Sequence, residues 1–114
     1  MSGNARRVAG LAAGLLAGFA APPAQAGMEW RYCLAIAEQS RAVYLSEPFQ
    51  SDASLPVLER AYENFLSRNG YAHEPAICPR GDTRDDLLKA REEAISFNKL
   101  RGLSASLASW RYGE

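Results

Sequence analysis

Two cysteines, Cys33 and Cys78, a single histidine, His73, and a few polar residues set among apolar ones are the positions at which this 114-residue chain could do chemistry. A thiol pair can close a disulfide, hold a metal or supply a nucleophilic thiolate. Neither cysteine has a second Cys or His at ligand spacing, and His73 stands alone in a segment that reads as loop, so no metal site is expected. The acidic pairs Asp85-Asp86 and Glu92-Glu93 could be imagined as acid/base groups, but neighbouring helix positions point in different directions. The first pair is already accounted for by the positive end of a helix dipole. No glycine-rich phosphate loop, nucleophile elbow or histidine-containing triad occurs, so no catalytic residue is assigned and no cofactor is expected.

Two other groups stand out. In the segment after Thr83, Leu87, Leu88, Ala90, Ala94, Ile95 and Phe97 form an apolar arc at 100° per residue, and Arg91 and Asn98 fall inside it. Either Arg91 reaches past the apolar surface to an acid or to carbonyls at a strand end while Asn98 hydrogen-bonds the last strand, or the two form a small polar pocket for a carboxylate or phosphate. The loop Ser46-Glu47-Pro48-Phe49 has a polar start and an aromatic end. It serves either as a staple over the core or as an exposed contact. Tyr44, Tyr71, Trp110 and Tyr112 read as core rather than as a recognition surface in so small a domain.

The compartment decides what the cysteines do. Arg6 and Arg7 form a basic start, Val8 to Ala21 is uncharged and mildly apolar, and Pro22-Pro23-Ala24-Gln25-Ala26 ends in a small-x-small pattern. That order predicts a cleaved export signal over 1–26 and a mature domain over 27–114. Fourteen residues containing Gly10, Gly14 and Gly18 are too short to span the membrane's ~30 Å hydrocarbon core, so no stable membrane insertion is expected after cleavage. No cysteine follows the cleavage point directly, which disfavours a lipid anchor. Sec export is favoured, with twin-arginine export the alternative. A periplasmic or secreted location is oxidising, so a structural Cys33–Cys78 disulfide is expected. Closing a loop of about 45 residues contributes roughly 4 kcal/mol in the chain-entropy treatment. Loss of Arg6 and Arg7 from 13 basic and 13 acidic residues leaves a charge near −2, which argues against a nucleic-acid partner.

The elements that must position these residues follow from periodicity. Trp30 to Ala37 alternates with period two, placing Trp30, Tyr32, Leu34 and Ile36 on one face and Arg31, Cys33, Ala35 and Ala37 on the other. After the polar turn Glu38–Arg41, Ala42 to Ser46 resumes as the second strand of a hairpin. Leu55, Leu58, Tyr62, Phe65 and Leu66 share a helical face behind the cap residues offered by Ser51-Asp52-Ala53-Ser54 and behind Pro56, with Gly70 as the stop. Ala76-Ile77-Cys78 reads as a third strand. Thr83 caps a second helix running to about Arg101, and 103–110 forms a last strand after Gly102. The order ββαβαβ predicts an α+β fold, a two-layer α/β sandwich of about four strands and two helices, with parallel crossovers that let both helices cover one face, besides an N-terminal signal helix.

Tyr32-Cys33, Val43-Tyr44-Leu45-Ser46 with Phe49, Cys78-Pro79, Phe97-Asn98 and Trp110-Arg111-Tyr112 together resemble a family of small exported proteobacterial domains of unknown function. The resemblance spans nearly all of the mature chain; it implies export and paired cysteines and brings no activity. A fainter likeness is to the peptidoglycan-binding α/β repeats of cell-division proteins, from which the amino-terminal hairpin departs. The expectation is an exported, non-catalytic binding or accessory module for a protein or envelope component. The alternative is a small hydrolase or thiol-dependent enzyme.

Overall fold

The structure, a computed structural model, describes residues 27–113. The expected export signal and its helix lie outside the described residues. The described chain folds as an α+β domain with six short strands and two helices in the order β1 (Glu29–Arg31), β2 (Leu34–Ala37), β3 (Ala42–Leu45), β4 (Phe49–Ser51), α1 (Leu55–Arg68), β5 (Arg80–Gly81), α2 (Arg84–Leu100) and β6 (Ser104–Leu107).

The strands form two three-stranded sheets. One has the order β4-β1-β5 and is antiparallel throughout; the other has the order β2-β3-β6, with β2 antiparallel and β6 parallel to β3. The expected hairpin is β2–β3, closed by a 3-10 turn at Glu38–Ser40 and by Arg41 at φ 54°. The alternating segment that reads as one strand is split at Tyr32-Cys33 into β1 and β2, which belong to different sheets. Its parity survives the break. Tyr32 and Leu34, with Trp30 and Ile36, enter one apolar cluster, while Cys33, Ala35 and Ala37 enter another.

Those two clusters lie on opposite faces of β2 and β3. Leu58, Tyr62 and Leu66 of α1 pack with Ala35, Ala37 and Tyr44, whereas Leu87, Ala94 and Ile95 of α2 pack with Leu34, Val43 and Leu45. The helices therefore divide between the faces instead of sharing one, because both sides of these strands are apolar and each needs a cover. Leu58 and Leu66 are fully buried, and each such side chain contributes about 1.5–3 kcal/mol.

Three local features differ from the sequence pattern. Phe49–Ser51 pairs with β1 as a strand that the pattern did not reveal. Ala76-Ile77-Cys78 is not a strand: it makes a single bridge, Leu34 to Ile77, while β5 lies later, at Arg80–Gly81. The last strand stops at Leu107, and all four of its side chains are exposed. Both helices start as expected, with Pro56 in the first turn of α1 and the Thr83 hydroxyl of α2 accepting from the Asp86 N–H at 3.0 Å. Gly70 and Gly102 follow the helix ends at φ 79° and 85°, a backbone region that glycine adopts at least cost.

Candidate functional site

The cysteines join as the sequence predicts. Cys33 and Cys78 form a disulfide with an S–S distance of 2.06 Å, and both residues are buried. It links the break between β1 and β2 to the segment entering β5. The same junction is tied by Arg31, whose Nη1 donates to the Cys78 carbonyl at 2.7 Å and whose Nη2 donates to Glu29. No free cysteine occurs among the described residues, so no thiolate is on offer there.

Ser46 sits on the other side of Cys33 and is fully buried. Its N–H donates to the Cys33 carbonyl, its Oγ accepts from the Cys33 N–H at 2.8 Å, and its hydroxyl donates to the Glu47 carbonyl. Its own carbonyl receives two bonds from Arg91, Nε at 3.0 Å and Nη2 at 2.9 Å. Ser46 is thus a packing hub, not a surface group. Arg91 is 9% exposed, and its charge opposes the upward push that burial gives the phenols of Tyr32 and Tyr62. The Tyr62 hydroxyl is buried with no hydrogen-bond partner among the described residues.

Asn98 stands two turns further along α2. Its Nδ2 donates to the Ala94 carbonyl and its Oδ1 accepts from Arg101, while its carbonyl receives the N–H of Leu103 at 2.9 Å. Arg91 and Asn98 both face inward, but the Arg91 side chain fastens the end of β3 while the Asn98 side chain bonds only the end of its own helix and not the last strand, and neither lines the two clefts described next.

Glu47 and Phe49 do meet a cleft. It has a volume of about 440 Å³ and is lined by Trp30, Glu47 to Gln50, Arg84 and Arg111 to Gly113. Three elements position its walls. Phe49, buried in β4, stacks edge-on against Trp110 at 5.8 Å and tilts against Tyr112 at 6.4 Å. The Glu47 N–H donates to the Trp110 carbonyl at 3.0 Å, and the Glu47 carboxylate pairs with Arg111 at 2.6 Å. Arg84 opens α2 at the far wall. The carboxylate–guanidinium pair is about four-tenths exposed on each side, so it contributes only ~0–1 kcal/mol. Guanidinium groups beside half-buried aromatic rings suit a ligand that is planar or carries an anionic group. Among the described residues, the cleft contains no nucleophile beside a base. Only the aromatic C-terminal run and the Glu47–Phe49 loop were visible in the sequence; Arg84 and Trp30 reach the cleft through tertiary packing.

Sequence reasoning missed a second arrangement. His73 Nδ1 lies 2.8 Å from the Glu74 carbonyl, which can only accept; the ring therefore donates there, leaving Nε2 to accept from the Ser67 hydroxyl at 3.2 Å. A neighbouring cleft of about 320 Å³ is lined by Ala37 to Gln39 and Ala72 to Glu74. The pair resembles a nucleophile with its base. Yet Ser67 lies in the last turn of α1, the carbonyl-rich end, and the N–H groups of Asn69 and Gly70 already donate to helix carbonyls. Those N–H groups are therefore not available to an oxyanion. Ser67 and His73 flank Gly70 in sequence with no motif to link them. Among the described residues, no group of three or more His, Cys, Asp or Glu side chains could hold a metal ion.

Comparison of the chain with family models, curated proteins and solved structures finds no significant match.

Proposed function

We propose that this protein is an exported, non-catalytic binding or accessory module, and that it contacts a protein or envelope component through the cleft beside Glu47 and Phe49. The observation that carries this reading is the cleft itself, where Arg84 and Arg111 stand among Trp30, Phe49 and Tyr112 with no nucleophile–base pair between them. The buried disulfide suits an oxidising extracytoplasmic compartment. No helix among the described residues is long and apolar enough to cross a membrane. The signal pattern over 1–26 and the likeness to small exported proteobacterial domains support the same placement.

The test is retention of purified peptidoglycan sacculi and of solubilised envelope proteins on immobilised protein, compared with Arg84→Glu and Trp30→Ala. Retention that both variants lose, with melting temperature held, is the expected result. Equal retention by all three forms, or none by any, overturns the reading. The hydrolase alternative has one observation in its favour, the Ser67–His73 pair. Labelling of Ser67 by a fluorophosphonate probe, abolished by Ser67→Ala, would replace the binding reading with that one.

A further inference from the structure

Sheet β2-β3-β6 has two outer edges, and they are treated differently. The free edge of β2 is occupied by the segment before β5, through Leu34 N–H to the Ile77 carbonyl at 2.8 Å, Ile77 N–H to the Leu34 carbonyl at 2.9 Å and Glu74 N–H to the Ile36 carbonyl at 2.7 Å. The free edge of β6 has no such cover among the described residues. Ser104 N–H donates to the Arg41 carbonyl and Ala108 N–H to the Leu45 carbonyl, so residues 104, 106 and 108 turn their backbone groups toward β3. Ala105 and Leu107 turn theirs outward. Edge strands are ordinarily blunted by charge, proline or a bulge. From Gly102 to Ser109 there is neither a charged residue nor a proline, and Leu107 is 64% exposed.

We propose that β6 pairs with β6 of a second copy, antiparallel about a two-fold axis through Ser106, joining two three-stranded sheets into one of six strands. The sequence of the strand fits a copy of itself. With Ser106 on the axis, Ala105 faces Leu107 of the second copy and Leu107 faces its Ala105, so each large side chain meets a small one. Both residues lie on one face, since they register with Val43 and Leu45, which share the α2 side of the sheet. The outward N–H and C=O groups of Ala105 and Leu107 then exchange with those of the second copy. No like charges oppose one another along the strip, and the described domain is close to neutral overall. A four-residue ladder covers less than the ~1,200 Å² typical of tight complexes, so the dimer is weak, with a dissociation constant of roughly 0.1–1 mM. This surface is separate from the cleft of the proposed function, and either reading can fail without the other.

Sedimentation velocity on protein purified from cells expressing the full chain, from about 10 µM to about 1 mM, tests it. The expected result is a monomer passing to a dimer over that range. Ala105→Pro removes an outward donor without touching the β3 ladder, and Leu107→Lys places a charge on the edge; each weakens the dimer at least about tenfold at unchanged melting temperature. Under mild oxidation, Ser106→Cys forms an intermolecular disulfide and Ser104→Cys does not, because residues 104 of the two copies stand beyond the ~7 Å Cα reach of a disulfide. A monomer at every concentration with no Ser106→Cys cross-link overturns the proposal, even if another protein's strand occupies β6. A dimer that the β6 variants leave intact overturns it equally.

Discussion

Replacing Arg91 with Met isolates what the guanidinium does. In the folded protein its Nε and Nη2 both donate to the Ser46 carbonyl, at 3.0 and 2.9 Å, at the point where β3 ends and the Cys33–Ser46 bonds begin. Hydrogen bonds from a charged donor contribute about 1.5–3 kcal/mol, and a buried carbonyl left without its partner costs about 1–3 kcal/mol. Against this, Met fills the stem's volume and removes a buried charge, which offsets part of the loss. The expected net cost is about 2 kcal/mol, which for a domain this size lowers the melting temperature by about 8–16 °C. Urea denaturation with a constant slope would read it directly. A second reading comes from the tyrosines: the Arg91 charge pulls the Tyr32 phenol down against burial, so Arg91→Met moves Tyr32 ionisation to still higher pH. Arg91→Lys keeps the charge but cannot present two fixed donors, and should fall between the two. A stability change under about 0.5 kcal/mol for Arg91→Met would refute the account of Arg91 as a fastener of β3.

Tyr62→Phe deletes a buried hydroxyl that has no partner, so chemical denaturation should show stability unchanged or raised by up to about 1 kcal/mol. Gly81→Ala would set a Cβ 2.9 Å from the Leu87 backbone nitrogen and 3.0 Å from its Cα, and should cost about 1–3 kcal/mol by the same measurement. The double variant Cys33→Ala/Cys78→Ala frees a 45-residue loop and should lose about 4 kcal/mol, while the wild type should show no thiol reactive to alkylation in the folded state. Tyr32 and Tyr62 have phenols raised by burial, so the folded state holds those protons longer than the unfolded one. Their stability contribution is complete below the ordinary value of 10.0 and is lost as pH climbs through the raised values. Absorbance titration should show these two phenols ionising above the ordinary value, and stability falling above about pH 10.

Local signals carried a good part of the fold. Pro56, Thr83, Gly70 and Gly102 act within a turn or two of their own positions, so α1 and α2 could be bounded from the chain alone. The period-two parity of 30–37 likewise survives, because the pleat fixes which side chains share a face whatever the strand later pairs with. The placement of Arg91 and Asn98 inside the apolar arc correctly put both on the buried side of α2. With only Cys33 and Cys78 in the chain, a single intramolecular pairing was left to make.

Pairing and approach belong to tertiary structure. Nothing local tells 30–37 to break at Tyr32; the break follows from Tyr32 N–H reaching the Pro79 carbonyl while Cys33 bonds Ser46 and Cys78, contacts 13 to 47 residues apart. A three-residue strand such as Phe49–Ser51 has too little pattern to announce itself and exists because β1 offers an edge. The cleft is the same case: Trp30, Glu47, Arg84 and Arg111 come from four stretches of chain and become neighbours only when β4, α2 and the C-terminal run converge. The sequence by itself thus determined the helices, the strand parity and the disulfide, which depend on near neighbours or on counting. Tertiary structure alone decided which strands join, that each helix takes its own face, and which polar side chains meet in one cleft, since those depend on the closure of long loops.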